Sequence, residues 1–263
     1  METLLVKLGG RAGTDLQTGE EVLAELAELT GAYRIVLVHG GGAEVTAMSR
    51  RLGMEPRFED GVRMTSPGEM DVVDMVLAGK MNTLLVRRFS TLGVRAVGLS
   101  GADAAMFACS FVGDSEHNRT ARIESADTGL IDQLLSAGYV PVVSSVAVGA
   151  DGRGVNVNAD EAALALARSL PAERLVFLSD TDGVLDAPPP AGAVISKLES
   201  SSLEALIGSG TIAGGMVPKV RSAAEAIARG VRQVVIGRFT GGGDLLKLLD
   251  GTMGTSIVYE EEP

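Results

Sequence analysis

The sequence holds one cysteine, Cys109, in 263 residues. No internal disulfide can form, and the thiol is expected to be a small, inert core group in a reducing compartment. No stretch approaches the roughly 18 uninterrupted apolar residues of a membrane span. Residues 1–8 contain Glu2 and Lys7 in place of a charged lead followed by a long apolar run, so neither a span nor a signal peptide is expected. Without such a signal, the sequon at Asn118, Arg119 and Thr120 is a chance match. A basic cluster is missing too: the formal net charge of -11 is spread along the chain, apart from an acidic run at 260–262. That balance disfavours a nucleic acid or an anionic membrane as partner. Only two histidines are present, His39 and His117, and neither has the neighbours of a Ser or Cys triad. The phosphate-loop pattern GxxxxGK[ST] is absent, and residues 9–13 read GGRAG, not GxGxxG.

What is there describes a folded α/β protein. Hydrophobic residues make up 46% and charged residues 22%, the balance of a compact chain that can bury a core. Its length exceeds one typical core, so a large α/β unit or two lobes is expected. Short apolar runs at 4–8, 35–38, 96–99, 140–143, 175–178 and 233–236 predict buried parallel strands. Helical stripes are predicted over 20–29 and over 70–89, the latter at mixed three and four spacing. Ala-rich helices are predicted over 158–168 and 219–229, with Gly230 as a stop. The polar, faintly alternating segment 104–124 predicts a hairpin added to the sheet. Pro188, Pro189 and Pro190 mark a loop. Two lobes sharing one sheet, 1–170 and 171–263, are the expected organisation.

Glycines at strand ends carry the chemistry. Lys7, Leu8, Gly9, Gly10 follows the first strand and His39, Gly40, Gly41, Gly42 the second, at the carboxyl edge where open α/β sheets bind ligands. Glycine lets backbone N–H groups approach a phosphoryl oxygen, and a helix starting at Ala43 would add its partial positive charge. Taken singly, either loop could be a plain turn. A third cluster, Gly214 and Gly215, precedes Lys219 by one helical turn. Lys7 lies at the end of a buried-looking strand, where an ammonium is costly to desolvate without an anion. Lys219 begins a helix, the wrong end for a cation unless a phosphate sits there. Either lysine could equally be solvated. Arg63 suits a bidentate clamp on a carboxylate, or a solvated turn. Asp160 follows Asn158, an N-cap pattern, and is either a first-turn acid or a carboxylate that holds two lysines across a phosphoryl group. A carboxylate acceptor is already ionised at neutral pH, so its phosphorylation needs positioning and charge neutralisation but no general base.

The segments VKLGG at 6–10, VHGGG at 38–42, FEDGVRMT at 58–65, MVLAGKMN at 75–82, GLSGAD at 98–103, GYVPVVSSV at 138–146, NVNADEAA at 156–163, LSDTDGVL at 178–185 and GGMVPKV at 214–220 together resemble the N-acetylglutamate kinases of the amino acid kinase family. The resemblance runs in order along nearly the whole chain. It implies a three-layer αβα sandwich with an open, mostly parallel eight-stranded sheet. The lobe 1–170 would bind acetylglutamate and dimerise, and the lobe 171–263 would bind ATP. Lys7 and Lys219 would stabilise the moving phosphoryl group, Asp160 would orient both, and Gly10 and Gly41 would donate backbone N–H bonds to its oxygens. Gly41, Gly42, Arg63 and Asn156 would hold the substrate. Ser179, Asp180, Asp182 and Gly183, with Thr211, Ile212, Ala213, Gly214, Gly215 and Met216, would line the nucleotide. Mg²⁺ would arrive with ATP, held chiefly by phosphates and water. A cytoplasmic homodimer acting on N-acetyl-L-glutamate in arginine biosynthesis is expected, and docking of a nitrogen-signalling protein stays open.

Three features depart from the family pattern. Arginine-inhibited members usually carry an extra N-terminal helix, whereas this sequence enters its first strand at once, so a dimer without arginine feedback is expected. Residues 186–196 are shorter and richer in proline than the usual nucleotide-side loop, and Ala104 stands where GLSGxDG has glycine. Two rival readings remain. One is a kinase for 2-aminoadipate or glutamate on an acidic carrier protein, which needs a basic docking surface; residues 106–113 carry no basic group. The other is a non-catalytic sensor with this fold, against which Lys7, Asp160 and Lys219 stand together.

Overall fold

The computed structural model describes residues 1–259 apart from 60, 171 and 188–191, with the side chains of 11, 14 and 16 also left aside. The expected proline loop at 188–190 and the acidic run at 260–262 lie outside the described residues. Eight strands form one sheet in the order Lys197–Glu199, Thr255–Val258, Gln233–Gly237, Arg174–Leu178, Glu2–Leu8, Tyr33–His39, Val140–Ser144 and Ala96–Ser100. Glu2–Leu8 runs parallel to Arg174–Leu178, and so does Gln233–Gly237. Val140–Ser144 is parallel to both of its neighbours. Thr255–Val258 is antiparallel to Gln233–Gly237. The architecture is therefore the expected α/β sandwich around an open, mostly parallel eight-stranded sheet.

The strand sequences show why. Leu4, Leu5 and Val6 are fully buried in consecutive positions, as are Val36, Leu37 and Val38, the signature of strands covered on both faces. By compactness the chain forms two units, Met1–Ile35 with Pro171–Pro263, and Val36–Leu170. Residues 1–35 thus group with the C-terminal segment.

Within Val36–Leu170, the predicted helix over 70–89 is a composite. An α-helix Pro67–Val73 opens on Ser66, whose hydroxyl accepts from the Glu69 N–H. It passes into a π-helical stretch, Asp74–Met81, and then an α-helix, Asn82–Thr91. A wider π turn changes which residues share a face, which accounts for the mixed apolar spacing. The helix Ala159–Ser169 is capped by Asn158, whose side chain accepts from the Asp160 N–H at 2.7 Å.

The hairpin expected within 104–124 exists, but as a correction it is not part of the main sheet. Among the described residues, Phe107–Phe111 and Ala121–Ala126 pair only with each other, with a bulge between Ala108 and Cys109. One reason is visible at Ile123: its N–H donates to Glu161 Oε1 at 2.5 Å, so a helix carboxylate takes a donor that a strand would otherwise need. Cys109 sits on this hairpin, half-buried and not in the expected core position; burial, with Glu161 and Glu124 nearby, pushes its pKa up to about 11, which keeps the thiol inert. Among the described residues, no helix is long and apolar enough to cross a membrane.

Candidate active site

In the unit formed by Met1–Ile35 and Pro171–Pro263, a cavity of about 860 Å³ opens beside the end of the strand Arg174–Leu178. Its walls include Gly10, Ser179, Asp180, Asp182 and Gly183, and on another side Thr211, Ile212, Ala213, Gly215, Met216 and Lys219. All but one of the residues expected on the nucleotide side therefore line one space. Gly214, the exception, turns the chain at φ +58°, just before the helix Met216–Ala228. Lys219 lies in the first turn of that helix and donates from Nζ to Ser179 Oγ at 2.8 Å. Its ammonium thus faces the cavity together with the helix N-terminus, an arrangement that favours an anion. Gly10 is at φ +58°, and a Cβ there would stand 2.6 Å from Asp180 Oδ1 and 2.8 Å from Asp180 N. Only glycine permits this approach. Lys7 packs over Gly9, whose missing Cβ leaves room for its ammonium.

In the unit Val36–Leu170 the substrate-side residues also converge. Arg63 is 9% exposed. It donates from Nη1 to Glu69 Oε1 at 2.6 Å, and from Nη2 to Gly42 O at 3.0 Å and to Thr46 Oγ1 at 2.5 Å. The guanidinium carbon stands 4.7 Å from the centre of the Phe58 ring. The buried guanidinium, paired with Glu69 and bonded to the Gly42 carbonyl, ties the glycine turn to the strand that carries Arg63. Asn156 donates from Nδ2 to Thr65 Oγ1 at 2.9 Å, and Asp160 lies two residues beyond Asn158 in the first turn of its helix. The expected set is divided between the units: Lys7, Gly10 and Lys219 in one, and Gly41, Gly42, Arg63, Asn156 and Asp160 in the other.

Several supporting residues were not legible as such. Thr120 donates from Oγ1 to Arg63 O at 2.6 Å and accepts from the Thr65 N–H at 3.0 Å, so one hydroxyl fixes the backbone on both sides of Met64. Arg119, 2% exposed, donates to both Asp151 oxygens at 2.8 and 3.0 Å and from Nε to Gly154 O at 2.9 Å. This pins the segment behind Asn156 and holds the Asp151 carboxyl well below the usual range. Thr120 lay inside an apparent sequon, and nothing local marked it as a partner of residues 57 positions away.

Cations and backbone amides gathered at the ends of parallel strands define a class of protein that handles phosphoryl groups. A model of the amino acid kinase family matches residues 2–238, and the chain belongs to that family of phosphotransferases. The acetylglutamate kinase of Synechocystis sp. is 38% identical to it over 231 residues, 88% of this chain and 78% of that one. The acetylglutamate kinase of Synechococcus sp. strain WH7803 is 38% identical over 258 residues, 97% of this chain and 88% of that one. Among solved structures, N-acetylglutamate synthase from Neisseria gonorrhoeae matches with a TM-score of 0.84 at 24% identity, over 99% of this chain and 60% of that one. That last likeness is one of fold.

Proposed function

We propose that the protein uses ATP to phosphorylate the side-chain carboxylate of N-acetyl-L-glutamate, the second step of arginine biosynthesis. The observation that carries this reading is the 38% identity, over nearly the whole chain, to relatives named acetylglutamate kinase. The buried Arg63, paired with Glu69 and bonded to the Gly42 carbonyl, supports it by placing a guanidinium beside the glycine turn. A carboxylate oxygen attacks the γ-phosphorus, the bond to the β,γ-bridging oxygen breaks, and ADP leaves. No proton is transferred, so no general base is needed.

In this reading Lys7 and Lys219 neutralise charge on the moving phosphoryl group, Asp160 orients them, and Gly10 and Gly41 donate N–H bonds to its oxygens. Arg63 and Asn156, with Gly41 and Gly42, hold acetylglutamate. The cavity residues Ser179, Asp180, Asp182, Gly183 and Thr211 to Met216 hold the nucleotide. Among the described residues, no group of three or more His, Cys, Asp or Glu side chains is placed to hold a metal ion. In the same reading Mg²⁺ is carried in by ATP and bound through phosphates and water, with Asp180 and Asp182 as cavity-lining carboxylates. A homodimer in the cytoplasm belongs to the same reading.

The test is ADP release with MgATP and N-acetyl-L-glutamate, glutamate, aspartate or 2-aminoadipate, with hydroxylamine present to trap an acyl phosphate. Turnover and a hydroxamate with acetylglutamate alone are expected. Failure with every free amino acid would overturn the proposal in favour of a carrier-bound substrate or a non-catalytic sensor.

A further inference from the structure

His39 ends the strand Tyr33–His39 and is 1% exposed, directly beneath the glycine turn. Its Nδ1 lies 2.9 Å from Gly40 O. A carbonyl oxygen can only accept, so Nδ1 carries the ring proton and donates. Its Nε2 lies 3.1 Å from Asn82 Nδ2, which also reaches Val142 O at 2.8 Å and Leu99 O at 3.2 Å. Two of those three neighbours are carbonyl oxygens, so the Asn82 atom facing them is the amide nitrogen; its two hydrogens are shared among the three acceptors, and Nε2, unprotonated, is one of them. Both ring nitrogens are thereby committed in one neutral tautomer. Burial agrees, pushing the imidazole pKa down to about 4.

Each part of this chain has a local cause. Asn82 follows directly on the π-helical stretch Asp74–Met81 and comes in against Gly98, where a Cβ would collide with its side-chain amide. At the other end lies the Gly40–Gly41 peptide. In a trans peptide the C=O and the following N–H point in opposite directions. Holding Gly40 O toward the imidazole therefore turns the Gly41 N–H away from it, out of the turn. Two consecutive glycines give this plane wide rotational freedom, and the His39 bond selects one orientation.

We infer that His39 is a positioning residue for phosphoryl transfer: through Gly40 O it aims the Gly41 N–H at the phosphoryl oxygens, and Asn82 fixes the tautomer that lets it do so. The inference rests on the role proposed above for Gly41. It also excludes His39 as a general acid or base, because neither ring nitrogen is available to the substrate.

The test compares kcat and both KM values, for MgATP and N-acetyl-L-glutamate, in the full-length protein and in His39→Leu, His39→Gln and His39→Asn. The Asn amide nitrogen occupies nearly the place of Nδ1, whereas the Gln amide reaches toward Nε2. Losing the aim of one donor is expected to lower kcat about 10- to 100-fold in the Leu and Gln variants, with each KM within about threefold. The Asn variant should recover most of the loss. Equal kcat in all four proteins, or a rise in KM at constant kcat, would overturn the inference. In parallel, ¹⁵N NMR of the wild-type imidazole at neutral pH is expected to show the Nδ1–H neutral tautomer. An Nε2–H or doubly protonated ring would overturn it even if the Leu variant does not fold. Absence of turnover in the wild type would sink the functional reading and this catalytic role together. Normal wild-type turnover with unaffected variants would sink this role alone.

Discussion

Replacing Gly41 by alanine tests the turn at its tightest point. Gly41 has φ +151° and ψ 37°, a conformation that costs a residue with a side chain on the order of 1–3 kcal/mol. The added methyl would lie 2.8 Å from Leu77 Cδ2 and 3.4 Å from Met81 Cγ. Leu77 belongs to a cluster of buried apolar side chains with Val73, Val76 and Met81, so overpacking adds about 1–3 kcal/mol. The sum, about 2–6 kcal/mol, is below most of the roughly 5–15 kcal/mol range that stabilises a folded domain, so the variant should fold. Its melting temperature should fall by about 5–20 °C, at some 2–4 °C per kcal/mol for a chain of this size. If the Gly41 N–H meets a phosphoryl oxygen, displacing it should lower kcat about 10²- to 10³-fold. Leu77→Ala alone destabilises by removing a buried side chain, about 2–5 kcal/mol. In the double variant the space vacated by Leu77 receives the methyl, so the two losses should be sub-additive by about 1–3 kcal/mol. Calorimetry on the four proteins, with ADP release on each, measures both parts. Additive losses would show that the Leu77 contact is not what excludes a side chain, and a kcat within threefold of wild type would remove the Gly41 N–H from catalysis.

Lys219→Ala should lower kcat about a thousandfold or more with a smaller change in the KM for ATP, since charge neutralisation is strongest in the transition state; unchanged kcat would remove Lys219 from the mechanism. Arg63→Lys keeps the charge facing Glu69 but loses the planar fork, and should raise the KM for acetylglutamate about 10- to 100-fold while the KM for ATP stays put; steady-state kinetics with each substrate varied separates the two. His39 has a folded pKa of about 4 against 6.5 unfolded, so the folded state binds fewer protons between these values. Its contribution to stability is complete above pH 6.5 and is lost as pH falls toward 4, amounting to about 2 kcal/mol between pH 7 and pH 5. Thermal melts of wild type should therefore drop more over that interval than those of His39→Asn. Ala104 has φ +53°, a left-handed conformation that costs a side-chain-bearing residue about 1–2 kcal/mol, part of which glycine returns as unfolded-state entropy; Ala104→Gly should stabilise by up to about 1 kcal/mol, read as a small rise in melting temperature.

The strands were legible because burial on both faces leaves an uninterrupted apolar run, as at Leu4, Leu5 and Val6. Ser179 to Gly183 were expected together only from the family resemblance, and they do line one cavity with Lys219. The hairpin 104–124 was found but assigned to the main sheet, because alternation reveals that a strand has two unlike faces and not which strand it pairs with. Ala104, which stands where the family pattern has glycine, adopts the left-handed φ of +53° that glycine favours.

The sequence by itself determined the alternation of strand and helix, the glycine turns that follow the first two strands, and the identity of the cations that could meet an anion, since each of these is set by neighbours a few residues away. Tertiary structure alone decided that Asn82 reaches His39 across Gly98, that Thr120 holds the backbone of Arg63, and that Arg119 anchors the segment behind Asn156. Those contacts join residues 32 to 57 positions apart in the chain. A hydrogen bond over such distances leaves no periodicity in the sequence, because it depends on how packed elements bring two backbones and a side chain within about 3 Å.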